Sequence, residues 1–352
     1  MDGKRVRARK AASQDPADAL TRPTFREVAE AFIERKEGGW RNDKHGQQWR
    51  TTLAKYVYPV IGELPVSLIG TSHVLAVLEP IWSAAPETAS RVRGRIEIVL
   101  SRAEAQGMRS SEKPAHWRGH LDQVLAQPRK VHRGHHAALA YLELPAFIAQ
   151  LRRRQALAAY ALEFSILSAA RTGDAIAATW SDIDLAAELW TVPAHQTKIG
   201  KVHIVPLSPR AVAILMAVQP LNKGRADARL FPATGGGELL GMAMPQLLRR
   251  MHRSEQAAQR PGWIDSRECG RIITPFGSRT SFYNWAGEQT AFPRELIEHA
   301  LAHQGSDKGQ VVYPPAILLS QHVKLMNIWT KYCASLVPSG DHAASFVQAD
   351  AV

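Results

Sequence analysis

Residues 179–208 read TWSDIDLAAELWTVPAHQTKIGKVHIVPLS, and here the spacing of apolar side chains changes from a helical period to alternation. The spacing predicts short strands over Leu189–Val192 and Val202–Val205, with HQTKIG at 195–200 as the turn of a hairpin. Lys198 stands at the tip of that turn, where a flexible ammonium can swing onto a substrate and give a proton to a leaving oxygen. On either side the helical period returns. Patterns over about 144–154 and 157–169 precede the hairpin, and patterns over about 208–218, 244–252, 276–288, 294–303 and 317–333 follow it. The expected fold class is mainly α with a small β-hairpin or sheet, and this half of the chain is an α+β domain.

The front of the chain is helical throughout. TFRE offers a capping box between Thr24 and Glu27, with Phe25, Val28, Ala29, Phe32 and Ile33 on one face of a helix running to about Glu37. Further helical patterns cover about 47–58, 72–82 and 87–106, the last stopped by Gly107. That last helix sets Arg91, Arg93, Arg95 and Arg102 around a core stripe of Val92, Ile96, Val99 and Leu100, so one flank suits a DNA backbone. Residues 108–136 are expected to be a linker, since from Lys113 onward Pro, His, Gly and Arg dominate without periodicity. Residues 1–23 form a basic tail with five cationic side chains in the first ten, and 336–352 a second flexible tail.

The chain of 352 residues carries 44 Lys and Arg against 32 Asp and Glu, a net charge of +12 that favours a polyanionic partner. Residues 1–133 hold 23 basic and 15 acidic side chains, net +8, against 21 and 17, net +4, in the rest, so the front third is the more basic surface. Cys269 and Cys333 are far apart and in no metal-ligand spacing, which supports neither a disulfide framework nor a zinc site and suits a reducing cytoplasm. His132, His135 and His136 have no carboxylate or thiol at ligand spacing, and Glu298 beside His299 and His303 does not complete a HExxH pattern, so no metal is expected. ATGGGE lacks the following GK[ST] of a phosphate loop. No apolar run is long enough for a membrane helix, and no signal peptide is read at the N-terminus.

Tyr313 follows His303 by ten residues in AHQGSDKGQVVY, with Arg279 upstream in GSRTSF and Arg171 in AARTGD. A phenol can attack a phosphodiester, and the forked donors of two guanidiniums match the phosphate oxygens whose charge grows in the transition state. On these residues the chain resembles the tyrosine recombinases, specifically the P4-like phage and genomic-island integrases. The likeness runs from Thr24 to about Tyr332 and is carried by SAARTGDAIAATWSDIDL (168–185), ELWTVPAHQTKIGKVHIVPLS (188–208) and ALAHQGSDKGQVVY (300–313).

The resemblance implies a SAM-like helical core-binding domain over 24–107 and a catalytic domain over 137–335, together a C-shaped clamp around duplex DNA. It implies that Arg171 is the first catalytic arginine, buttressed by Asp174, and that Lys198 is the general acid for the 5′-hydroxyl leaving group. It further implies that Arg279 is the second arginine, His303 the late histidine and Tyr313 the nucleophile. The reaction implied is integration or excision of a mobile element through a 3′-phosphotyrosyl link, without cofactor, by a tetramer on two attachment sites. A DNA-bending accessory protein is a further candidate partner, and the bacterial nucleoid the expected setting.

The chain departs from the family pattern in three places. Phe276 stands where a histidine three residues before the second arginine is usual, Pro314 and Pro315 follow the tyrosine, and the front arm-binding domain usual in the group is expected to be lacking. These set a second expectation, a DNA-binding integrase relative with weak or no catalysis.

Overall fold

The computed structural model of the chain describes residues 22–40, 43–126, 136–197, 200–222, 224–233, 237–303 and 315–335. The chain falls into two compact units, Met1–Arg133 and Gly134–Val352.

In the first unit, α1 (Phe25–Glu37) opens with the capping box read from the sequence: the Glu27 N–H donates to Thr24 Oγ1 and the Thr24 N–H to Glu27 Oε2. It is followed by α2 (Asp43–Tyr56), the single turn α3 (Tyr58–Ile61), α4 (Thr71–Trp82) and α5 (Pro86–Ala105). One helix was expected over 47–58, whereas the chain breaks at Val57 because Pro59 cannot extend the preceding hydrogen-bond ladder. Apolar side chains at helical spacing, among them Phe25, Ile33, Leu53, Val74, Leu78, Val92 and Ile96, meet in one core.

The expectation of an extended linker needs correction for its first part. Ala115, Leu121 and Leu125 belong to the first core, and buried Arg109 donates to the carbonyls of Val66, Ile69 and Glu112. Met108–Ala126 is therefore wrapped onto the helices by hydrogen bonds from Arg93 and Arg109 and by scattered apolar anchors, a pattern with no sustained period to read.

The second unit contains α6 (Leu144–Arg152), α7 (Leu157–Leu167) and a short α8 (Thr172–Ala177) before the sheet. Three antiparallel strands follow, β1 (Ile183–Asp184), β2 (Leu189–Val192) and β3 (His203–Pro206), in the order β1-β2-β3 with Trp190 opposite Val205 and Val192 opposite His203. The hairpin forms with its second strand one residue later than the expected Val202–Val205, and Trp190, Val192, His203 and Val205 turn inward. Strand β1 was not foreseen, because two residues carry no period, and its pairing depends on the reversal at Glu188, φ +55°. The same holds for the two-residue pair β4 (Ile264–Asp265) and β5 (Arg271–Ile272).

The remaining helices are α9 (Pro209–Val218), α10 (Ala243–Ala257), α11 (Ser278–Gln289), α12 (Arg294–Ala300) and α13 (Pro315–Cys333). Helix α11 starts later than the expected Phe276, because Pro275–Gly277 form a separate 3₁₀ turn capped by Thr274. Helix α7 is buried on all sides at the centre of this unit, and Glu163 within it is held by Arg152 and Arg210. Around it pack Phe147, Trp190, Phe231, Phe282, Trp285 and Trp329. No described helix is long and apolar enough to cross a membrane.

Candidate active site

Two helix ends build the site. Helices α7 and α12 were expected to run to Ala169 and His303, but both stop earlier in the same motif. At the end of α7 the Ala170 N–H donates to Ser165 O and the Ala169 N–H to Ile166 O, both at 3.1 Å. At the end of α12 the His303 N–H donates to Glu298 O at 3.0 Å and the Ala302 N–H to His299 O at 2.8 Å. Each is a Schellman ending, and each places alanine in the left-handed region, Ala169 at φ +48° and Ala302 at φ +47°, where glycine is the usual residue. The missing glycines explain why the pattern read as continuous helix.

The motifs aim carbonyls at the arginines. Arg171, one residue past the first motif, donates from Nη2 to Ala302 O at 2.9 Å. Arg279, in the first turn of α11, donates to Ala169 O at 2.6 Å and to Leu301 O at 2.5 Å. The two helix ends are thus laced together by the two guanidiniums that the sequence placed over a hundred residues apart. Non-glycine residues held at positive φ cost about 1 kcal/mol or more, and such conformations cluster at functional sites.

His303 closes the group. Arg279 Nη2 lies 3.2 Å from His303 Nε2, and a guanidinium can only donate, so Nε2 accepts. The ring proton therefore sits on Nδ1, which donates to Glu298 Oε2. Glu298, set aside in the sequence because it completes no zinc pattern, orients the histidine. Asp174 Oδ2 is 3.7 Å from Arg171 Nη1. Burial pushes the Asp174 carboxyl upward, against the opposing pull of Arg171 and Arg279. Burial, together with the like charge of Arg171, brings the 4 %-exposed Arg279 guanidinium down to about 10, so it remains a cation at neutral pH.

Arg171, Asp174, Arg279 and His303 are brought together, whereas Lys198 and Tyr313 lie outside the described residues, as do His132 and His135. Helix α13 begins at Pro315, a favourable first helical position for proline. Phe276 sits beside the group, its ring 5.6 Å from the Arg279 guanidinium.

His299 and His303 do not share a helix face, because the turn at Ala302 sends His303 to Arg279 and leaves His299 among other rings. His203, His299 and His322 stand with ring centroids 5.6–6.2 Å apart. Burial lowers all three, His203 to about 4 and His322 to about 3. Neutral rings are the tolerable form there, since Arg171 and Arg279 repel further charge near His203. Among the described residues no cluster has the geometry of a metal site.

In the first unit the four candidate DNA-facing arginines have different surroundings. Arg91 is exposed and pairs with Glu87, and Arg93 ties Glu97 and Ala115 O together at 2.7 and 2.8 Å. Arg95 donates to Gln48 O at 2.7 Å and lies 5.0 Å over Trp49, while Arg102 lies 5.9 Å over Phe32. Arg93 is thus largely engaged within the fold.

Residues 25–120 match the phage integrase central domain family. The chain is 31% identical over 304 residues to the prophage integrase IntZ of Escherichia coli K12, covering 86% of this chain and 69% of that protein. It is 24% identical over 315 residues to the integrase of Enterobacteria phage P4, covering 83% of this chain and 65% of that protein. A lambda integrase fragment solved as a dimer bound to a COC′ core site shares the fold, with TM-score 0.58, 15% identity, and coverage of 83% of this chain and 100% of that one. The chain belongs to the phage integrase family, whose members are tyrosine-type site-specific recombinases.

Proposed function

We propose that this protein recombines attachment sites on double-stranded DNA, for integration or excision of a mobile element, through a covalent 3′-phosphotyrosyl intermediate on Tyr313. The observation that carries the reading is the pair of guanidiniums, Arg171 and Arg279, fixed by two helix ends with His303 alongside. The phenol oxygen of Tyr313 attacks phosphorus and the bond to the 5′-oxygen breaks. The phenol proton passes to a nearby base, and Lys198 protonates the departing 5′-oxygen. The paired cations balance the charge that develops on the non-bridging oxygens, and Asp174 and Glu298 keep Arg171 and His303 in place. Because the phosphotyrosyl link retains the energy of the broken bond, resealing needs no cofactor.

Residues 24–107 serve as the core-binding domain and 137–335 as the catalytic domain, with Arg91, Arg95 and Arg102 on the DNA side of the former. A tetramer on paired sites is supported by likeness of fold to lambda integrase, also solved as a tetramer bound to a Holliday junction with TM-score 0.57 and 15% identity. The test is incubation with a nicked duplex carrying the attachment site from the DNA that flanks the element, followed by a denaturing gel. A protein–DNA band that is lost in Tyr313→Phe is expected. Phe276 favours a second reading, a DNA-binding relative without catalysis, and binding to the duplex with no covalent band at any time would establish it instead.

A further inference from the structure

Among the described residues, one imidazole, that of His303, lies within hydrogen-bonding distance of Arg279. Cleavage moves two protons, one off the phenol and one onto the leaving oxygen, and binding the pentavalent phosphate calls for further donors. Beside Arg279, the imidazole of His303 lies on one side, while the place next to it is filled by the hydrocarbon ring of Phe276. The buried rings of His203 and His322 are held neutral by burial and cannot serve. A further exposed imidazole lies against the Phe276 ring. The His136 ring packs on Phe276 with centroids 4.4 Å apart and planes inclined by 53°. Its distance from the Arg279 guanidinium is therefore at most the sum of this spacing and the 5.6 Å between Phe276 and Arg279.

The backbone just after His136 is anchored. Ala137 O accepts from the Thr274 N–H at 2.9 Å and from Thr274 Oγ1 at 3.3 Å. The Ala138 N–H donates to Asp265 Oδ2 at 2.7 Å, and Ser281 Oγ donates to Leu139 O at 2.5 Å. Gly277 allows this approach, since a Cβ there would lie 2.1 Å from Ala137 O. Ala137 and Leu139 are thus stapled to the turn and first helical turn that carry Arg279, and Ala138 to strand β4, and the imidazole is the first side chain beyond the staple. The core does not require a histidine at this exposed position.

We propose that His136 is a catalytic residue of the recombination reaction, its imidazole donating to a non-bridging oxygen of the scissile phosphate on the Phe276 side of Arg279. Among the described residues, Arg279 lies across Phe276 from it, and Asp265 accepts from the Ala138 N–H two residues on. This proposal rests on the reading of Tyr313 as nucleophile.

The experiment measures single-turnover cleavage of the nicked attachment-site duplex by the full chain, for the unaltered protein, His136→Phe, Phe276→His and the double variant. His136→Phe keeps an aromatic ring on Phe276 and removes the donor, and a matching thermal melt shows that the fold is kept. Cleavage is expected to fall on the order of 10²-fold in His136→Phe. Phe276→His in the His136→Phe background is expected to restore most of it, a coupling that mere packing between the two rings does not produce. Cleavage by His136→Phe within about threefold of the unaltered chain overturns the proposal. Equally, a fall that Phe276→His leaves unrescued assigns His136 to packing and overturns it. Failure of the unaltered chain to form any covalent adduct overturns the nucleophile reading, and this one with it, so the two failures are distinguishable.

Discussion

Replacing Gly277 with alanine tests the staple directly. Gly277 has ordinary backbone angles, φ −60° and ψ −24°, so the substitution carries no conformational penalty of its own. Its cost is steric: the new Cβ would stand 2.1 Å from Ala137 O and 2.8 Å from both Ala137 C and Ala138 Cα. These are backbone atoms, which cannot rotate away as a side chain does. Moving residues 137–138 outward breaks the two bonds from Thr274 to Ala137 O and the bond from Ala138 to Asp265. At about 1 kcal/mol each, three such bonds amount to about 3 kcal/mol, and leaving the overlap in place costs a similar amount. For a unit of this size the melting temperature should fall by about 6–12 °C, read by circular dichroism or calorimetry on the full chain. A Gly277→Ala protein that melts within about 2 °C of the parent would refute the reasoning, because the clash would then be relieved without breaking the staple.

Other outcomes follow from the same geometry. Ala302→Val puts a branched side chain at φ +47°, and urea unfolding should show a loss of about 2–3 kcal/mol, with slower cleavage because the Arg171 acceptor moves; unchanged stability would contradict the left-handed assignment. Arg171→Lys loses the fork that reaches both Ala302 O and Asp174, so covalent adduct formation should drop about 10²-fold or more with the fold intact; cleavage at the parental rate would remove Arg171 from the site. Acid should unfold the second unit through its buried histidines. His203 takes a proton near 6.5 when unfolded but only near about 4 when folded, so its contribution is full above pH 6.5 and is lost as pH falls through this window, about 3 kcal/mol in all. His322, held at about 3, extends the loss to lower pH, and a His322→Phe variant should flatten the dependence in urea titrations between pH 7 and 4; an unaltered slope would refute the assignment.

The sequence by itself determined the elements that carry their own period. The helices of both units and the β2–β3 hairpin are visible because amphipathic spacing and a capping box are local properties, set within a few residues of chain. It also carried the order Arg171, Lys198, Arg279, His303 and Tyr313 on which the proposed phosphate chemistry rests, though not what each would touch. Tertiary structure alone decided that α7 and α12 stop at alanines in the left-handed region, since alanine is elsewhere the best helix former and the carbonyls of those turns accept from arginines remote in sequence. It decided likewise that Glu298 orients His303, that Arg93 and Arg109 fasten a supposed linker, and that His136 rests on Phe276 from 140 positions away in the chain. Those contacts join residues remote in sequence, and no local pattern encodes a partner that only the folded chain brings within hydrogen-bonding reach.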